Sequence, residues 1–219
     1  MPRRLQSPSS INMYKQCARK YFYRYLKRLP TKPSIHLVRG SVAHKVLEDF
    51  YDLEVDDYDV DIRMTFMQAM IRMLKQYWDD SASQLAKLDM EKEEIAQFYE
   101  ETQLMLINWF EIFWEKFQKQ IKLGLSQSEA FKKVTPKREA LYKFMDVGIQ
   151  GYIDVIEYEG DEVNLMDYKT SKKFKITPEY ELQLAIYAFM YHRQHGVMPT
   201  RAGIYFLKHG VLHLDVNMD

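Results

Sequence analysis

Two rhythms of apolar and polar positions divide this chain. Long stretches spaced for helix come first. Residues 11–29 run without Gly or Pro and are closed by Pro30 and Pro33, with Ser7, Ser9 and Ser10 around Pro8 as N-cap candidates. Residues 41–53 and 59–78 predict two further helices, and residues 83–123 one or two more before Gly124. From Arg138 the segments shorten and turn β-like. Strands are predicted at 138–144, 147–158 and 162–168, separated by turn residues at Asp146 and at 159–161. Pro178 fits the first turn of a helix behind Thr177 that runs to about His195 before Gly196, and strands at 202–208 and 211–216 flank His209 and Gly210.

Helices, then strands, a helix and strands again predict a mixed α/β (α+β) fold, with a central mixed sheet flanked by helices and a helical insertion. The expected division is 1–54 for N-terminal helices belonging to the core domain, 55–124 for the insertion, and 125–219 for the core sheet and its helix. A chain of 219 residues with 47% hydrophobic content can bury one sizeable core, or a core plus a helical subdomain.

The formal net charge of zero hides a polarised distribution. Residues 1–40 hold ten Lys or Arg and no acid, whereas residues 48–101 hold sixteen acids against five bases. Such a positive block can meet a phosphate backbone, the plain alternative being two solvated faces without a partner. The single Cys17 excludes an internal disulfide and a Cys-rich cluster built from this chain alone, and fits a reducing setting. The opening residues lack an apolar signal core, and no run approaches the ~20 apolar residues of a membrane span. The expectation is a soluble cytoplasmic protein with no membrane partner.

Candidate chemistry begins at Gly151-Tyr152-Ile153-Asp154-Val155-Ile156, where a carboxylate sits inside an apolar strand. Buried charge there requires a partner, and a metal is one. Thirteen residues on, Asp167-Tyr168-Lys169 ends the next predicted strand, and the strand period sends Asp167 and Lys169 to one face. A hairpin would bring Asp154 and Asp167 together. Two adjacent carboxylates repel unless a cation lies between them, and hard oxygen ligands suit Mg²⁺ or Mn²⁺. A neighbouring lysine can hold or deprotonate a water, or offset charge developing on a phosphate.

Gly40, His44 and Glu48 form G-x-x-x-H-x-x-x-E at the expected start of the second helix, with His44 and Glu48 one turn apart on one face. His44 is either a metal-completing imidazole or a packed helix histidine, and Glu48 reads as solvated or Arg-paired. Gln183 and Tyr187, four apart, can project together and donate to a phosphate oxygen, although Tyr187 is equally suited to a core.

Taken together, these residues resemble the PD-(D/E)XK nuclease superfamily, and more closely its RecB-like branch, which includes nuclease domains of recombination helicases and CRISPR-associated exonucleases. The resemblance spans residues 7–25, 40–48 and 139–208. It rests on the opening S-P-S-S-I-N-M-Y-K-Q-C-A-R-K-Y-F-Y-R-Y, then G-x-x-x-H, G-Y-I-D, D-Y-K and Q-x-x-x-Y, five pieces in order. It implies a restriction-endonuclease-like fold and metal-dependent hydrolysis of DNA phosphodiester bonds, as an exonuclease on single strands or ends in repair, recombination or CRISPR-type processing. Metal ligation is implied for His44, Asp154, Asp167 and the Tyr168 carbonyl, with Lys169 acting on the attacking water. Gln183 and Tyr187 would support the site and the DNA backbone, and Glu139 would stand behind the ligands or beside the substrate. Independently of the resemblance, the uncompensated charge of the first helix makes Arg19, Lys20 and Arg24 expected DNA contacts.

One departure concerns iron. In iron-sulfur members an N-terminal cysteine joins three near the C-terminus, whereas Cys17 is alone. Either the chain resembles a cluster-free subgroup with Cys17 packed as a small apolar residue, or a C-terminal segment is missing. No cluster is expected. Residues 55–124 match no motif and suit an arch over a single strand or a spacer. The rival readings are a catalytically inactive nucleic-acid-binding module on the same fold, and a helical interaction protein in which Asp154 and Asp167 only cap turns.

Overall fold

Ser7 begins the regular structure. In this computed structural model, which describes residues 4–215, its Oγ accepts the Ser10 N–H while the Ser10 hydroxyl accepts the Ser7 N–H, closing a capping box on α1 (Pro8–Gln16). The single helix predicted over 11–29 is broken. Cys17 takes an extended backbone (φ −164°, ψ 106°), and its Sγ accepts the Lys20 N–H to start α2 (Ala18–Tyr21), which continues into a π-helical turn (Phe22–Leu26). Cys17 is exposed, so its sulfur serves as a cap and not as the apolar filler expected.

α3 (Ile35–Phe50) starts before the predicted boundary because Ile35, Val38, Val42, Val46 and Leu47 extend one buried face. Gly40 and His44 therefore lie inside the helix and not at its start. α4 (Ile62–Asp80), the short α5 (Ala82–Leu85) and α6 (Lys92–Lys122) follow, and α7 (Gln127–Val134) was not predicted. Its signal is nonetheless present: Ser126 and Glu129 make an S-x-x-E capping box.

β1 (Lys137–Phe144), β2 (Ile149–Glu159) and β3 (Glu162–Lys169) form an antiparallel meander. α8 (Pro178–His195) then crosses over so that β4 (Arg201–Phe206) lies parallel to β3, and β5 (Gly210–Asp215) returns antiparallel. The result is the expected mixed sheet, in the order β1-β2-β3-β4-β5. The predicted strand over 202–208 ends at Phe206, and Val216, predicted in the last strand, lies outside the described residues.

Each sheet face has its own core. α8 covers Ile153, Leu165, Ile204 and Phe206 with Leu184, Tyr187 and Met190. The other face carries Val155, Met166, Tyr168 and Tyr205 under α3, α4, α6 and α7. Phe50, fully buried, meets Phe66, Trp109 and Phe113 edge-on at centroid distances of 5.7, 5.1 and 4.8 Å, a favoured aromatic geometry. Residues of 55–124 thus share one core with α3 and the sheet. Among the described residues no helix is long and apolar enough to cross a membrane.

Candidate functional site

The sheet is irregular where its carboxylates meet. β1 pairs with β2 at Arg138↔Val155 and Ala140↔Ile153, but the intervening Glu139 has a φ of 43° and does not pair with Asp154. The β2–β3 ladder also stops at Val155↔Met166. Asp154 is thereby left outside both ladders. A left-handed conformation costs a non-glycine residue about 1–2 kcal/mol, and such strain gathers where function requires it.

His44, on α3, reaches this gap. Its Nε2 lies 2.9 Å from the Tyr168 carbonyl, which can only accept, so Nε2 carries the proton. Nδ1 then faces Asp154 Oδ2 at 3.4 Å as an acceptor toward an acceptor. A proton or a cation between them would relieve this. Burial lowers the imidazole's pKa, with Lys169 adding to the effect, and burial together with Asp167 pushes the Asp154 carboxyl well above the usual range. Glu139 is also raised, by burial, then by Glu48 and Asp167. Glu48 itself ion-pairs with Lys45 at 3.5 Å.

Asp167, 1% exposed, is gripped from α8. Its Oδ1 accepts Gln183 Nε2 at 2.7 Å and the Tyr187 hydroxyl at 3.3 Å, and Gln183 also donates to Tyr187 at 2.8 Å. The donors expected on a phosphate oxygen therefore point at Asp167. Its buried Oδ2 ion-pairs with Lys169 and has no regular hydrogen bond. Burial alone would lower the lysine's pKa, but Asp167 and Asp154 outweigh it and hold the ammonium above its ordinary value. Between the two, Tyr168 points its ring to the opposite face, where its hydroxyl accepts Trp109 Nε1, while its N–H donates to Asp154 Oδ2 at 3.2 Å.

A cleft of about 410 Å³ opens onto Asp154, Gln183 and Tyr187, bounded by Ser7, Ser9 and Lys143. α1 reaches its edge because Gly151 permits close approach: a Cβ there would lie 3.1 Å from Met190 Cε and 3.2 Å from Pro8 Cδ. Asn12 Nδ2 donates to the Glu179 carbonyl, fastening α1 to α8. Arg19, Lys20 and Arg24 are exposed on α2 and the π-helical turn and do not line the cleft. Arg24 Nη1 donates to Thr31 Oγ1, and Tyr25 reaches cleft-lining Ser9 through its hydroxyl at 3.3 Å.

Sequence reading overlooked Arg39. The residue is 2% exposed, donates to the Thr170 carbonyl at 2.8 Å and to Glu101 at 3.0 Å, and so ties α3 to α6 and to the end of the strand bearing Asp167 and Lys169. A lone arginine inside I-H-L-V-R-G-S-V-A was the available signal.

The donor set fits a hard divalent cation. One ligand atom each of His44, Glu139 and Asp154 lie within 4.8 Å of one another, little beyond the roughly 4 Å that separates opposite ligands of an ion bound at about 2.0–2.2 Å. Mixed imidazole and carboxylate donors suit Mn²⁺, and carboxylates alone suit Mg²⁺. Asp167 stands beside this trio, engaged with Lys169, Gln183 and Tyr187. No curated protein matches the sequence. A family model described as the PD-(D/E)XK nuclease superfamily matches residues 6–215, almost the whole chain, and nucleases of that superfamily use divalent metals and act on nucleic acid. The extent of that match and a carboxylate-rich site on a five-stranded mixed sheet lead to one conclusion: the chain belongs to the PD-(D/E)XK nuclease superfamily.

Proposed function

We propose that this protein is a Mg²⁺- or Mn²⁺-dependent deoxyribonuclease of the RecB-like type, an exonuclease that hydrolyses phosphodiester bonds in single-stranded DNA or at DNA ends. Repair, recombination or CRISPR-type processing is the setting, in the cytoplasm. The observation that carries this reading is the convergence of His44, Glu139 and Asp154 beside the Asp167–Lys169 pair, with Asp154 lining an open cleft.

His44, Asp154, Asp167 and the Tyr168 carbonyl would hold the cation, and Glu139 is well placed to join them. When bound, the cation lowers the pKa of a water and offsets charge on the phosphate. Lys169, kept as an ammonium by Asp167, orients the attacking water and stabilises the phosphorane-like charge. Gln183 and Tyr187 fix the Asp167 rotamer from α8, the two Gln183 N–H groups going to Asp167 and to the Tyr187 hydroxyl. Exposed Phe22 and Tyr23 beside Arg19, Lys20 and Arg24 suit an unpaired strand, whose bases stack while its phosphates meet cations.

The rival reading, an inactive nucleic-acid-binding module, leaves Asp154, Asp167 and Lys169 without a reason to be clustered. Incubating the protein with end-labelled linear DNA and with circular DNA, each with Mg²⁺, Mn²⁺ or EDTA, tests the proposal. Metal-dependent release of mononucleotides or short fragments from ends is expected. DNA that stays intact in every metal would replace the enzyme with the binding module.

A further inference from the structure

Beyond Asp167 the chain turns basic. Between Asp167 and Glu179 it carries four lysines and no acid, with a phenylalanine among them in Lys172-Lys173-Phe174-Lys175. Three of these lysines lie in the segment that joins β3 to α8, directly after the strand end that bears Lys169. Phe174 is 46% exposed, although leaving so much of a ring in water forgoes hydrophobic free energy. Lys173 and Lys175 are exposed on either side of it, and among the described residues neither forms an ion pair.

The segment is held in place. Ser171 Oγ accepts the Lys173 N–H at 3.1 Å, and His209 Nε2 donates to the Lys172 carbonyl at 3.0 Å. Phe174 meets Phe206 edge-on at 5.5 Å and leans on the His209 ring at 5.6 Å. Phe206 in turn meets Tyr180 at 6.1 Å, and the Lys169 ammonium stands 5.5 Å from the centre of the Tyr180 ring. Rings therefore run without a break from Lys169 to solvent at Phe174. The acids around them are committed elsewhere, Glu101 to Arg39 and Lys172 at 3.0 and 3.4 Å, and Glu179 to the Thr177 hydroxyl.

We propose that Phe174, with Lys173 and Lys175, is a platform for an unpaired nucleic-acid strand and selects single strands over duplex for the site at Lys169. An exposed ring offers a stacking face that every base can use, and flanking ammonium groups meet the phosphates on either side of that base. A duplex keeps its bases stacked on one another and presents phosphates alone, so it gains the lysines and not the ring. The inference takes its partner from the nuclease reading, but it concerns binding, and metal-free protein tests it.

Wild type, Phe174→Leu, Lys173→Ala and Lys175→Ala are titrated in EDTA by fluorescence anisotropy against three labelled probes of equal length: oligothymidylate, a strand of abasic residues, and a duplex. Leucine keeps an apolar contact with Phe206 but has no flat face, and melting temperatures confirm that each variant is folded. Phe174→Leu should weaken oligothymidylate binding by about tenfold and leave the abasic strand and the duplex unchanged. Each lysine variant should reduce the slope of log binding constant against log salt for the single strand by about 0.7. Wild type that binds oligothymidylate no better than the abasic strand would overturn the proposal, as would a Phe174→Leu variant that weakens all three probes equally or none. Cleavage of the same DNA with Mg²⁺ or Mn²⁺ is followed alongside. Cleaved DNA with unaltered oligothymidylate binding by Phe174→Leu removes the platform and leaves the enzyme, whereas intact DNA with the strand-selective loss removes the enzyme and leaves the platform.

Discussion

Two buried groups of charges meet the two sides of one short segment, and they are built on opposite principles. Around Arg39 most donors are matched, its buried Nε excepted, and the surplus cations are exposed lysines. Its guanidinium donates to Glu101 and to the Thr170 carbonyl, and Lys172 and Lys208 stand 3.4 and 3.9 Å from the same glutamate. Around Asp167 the valences are open. Asp154, Asp167 and Glu139 bring three carboxylates against one lysine, with burial and mutual repulsion raising the pKa of Asp154 and of Glu139. A closed cluster stabilises the fold, whereas an open one stores an electrostatic deficit that a cation can relieve. The first fixes the strand end, and the second uses it.

The contrast breaks most sharply under substitution of the open cluster. Asp167→Ala and Lys169→Ala should each lower DNA cleavage by about a thousandfold or more while the circular dichroism spectrum stays native, since each removes charge that acts on the scissile phosphate. Cleavage at wild-type rates in either variant would remove these residues from the chemistry. The closed cluster should respond in the other currency, stability. Arg39→Ala should cost about 3 kcal/mol in denaturant unfolding, because it strips a buried carbonyl and a carboxylate of their donor. Metal-free Asp154→Asn, in contrast, should unfold no earlier than wild type, as it removes one of three crowded negative charges. A loss of stability comparable to that of Arg39→Ala would erase the distinction between the clusters.

Smaller effects sharpen the assignment within the open cluster. His44→Ala should weaken metal binding by about tenfold or more in calorimetry and lower activity in parallel, with Mn²⁺ rescuing better than Mg²⁺. A lower melting temperature with unchanged metal affinity would make His44 a packing residue. Glu139→Gly should stabilise the metal-free protein by up to about 1 kcal/mol, since glycine adopts a φ of 43° without strain, while weakening metal binding. Smallest of all, replacing Arg19, Lys20 or Arg24 with Ala should reduce the slope of log binding constant against log salt by roughly 1 each. A slope unchanged in all three variants would exclude α2 and the π-helical turn from the DNA path.

Local patterns carried much of the outcome. Apolar spacing identified α3, α4, α6 and α8, and a Pro behind Thr177 with Gly196 beyond His195 marked both ends of α8. Gly196 has a φ of 75°, as a left-handed cap requires. Strand period put Asp167 and Lys169 on one face, and they form an ion pair there. The failures were local too: nothing in Q-C-A-R announces that Cys17 breaks the first helix, and α7 was passed over despite its capping box.

The order of the strands and of most helices, the mixed sheet and the set of chemically able residues were determined by the sequence alone, because periodicity, caps and turn residues act over a few positions. Only the tertiary structure decided which of those residues meet. Glu139 looks like any charged residue on a half-exposed strand until the Asp154 position drops out of both ladders and turns the two carboxylates toward His44. Arg39 is one charge in an apolar helix until α6 supplies Glu101 and the end of β3 supplies the Thr170 carbonyl. Both depend on groups 131 or fewer residues away in sequence yet within hydrogen-bond or ligand distance in space, and charge interactions are set by that spatial distance and by burial, neither of which a local pattern encodes.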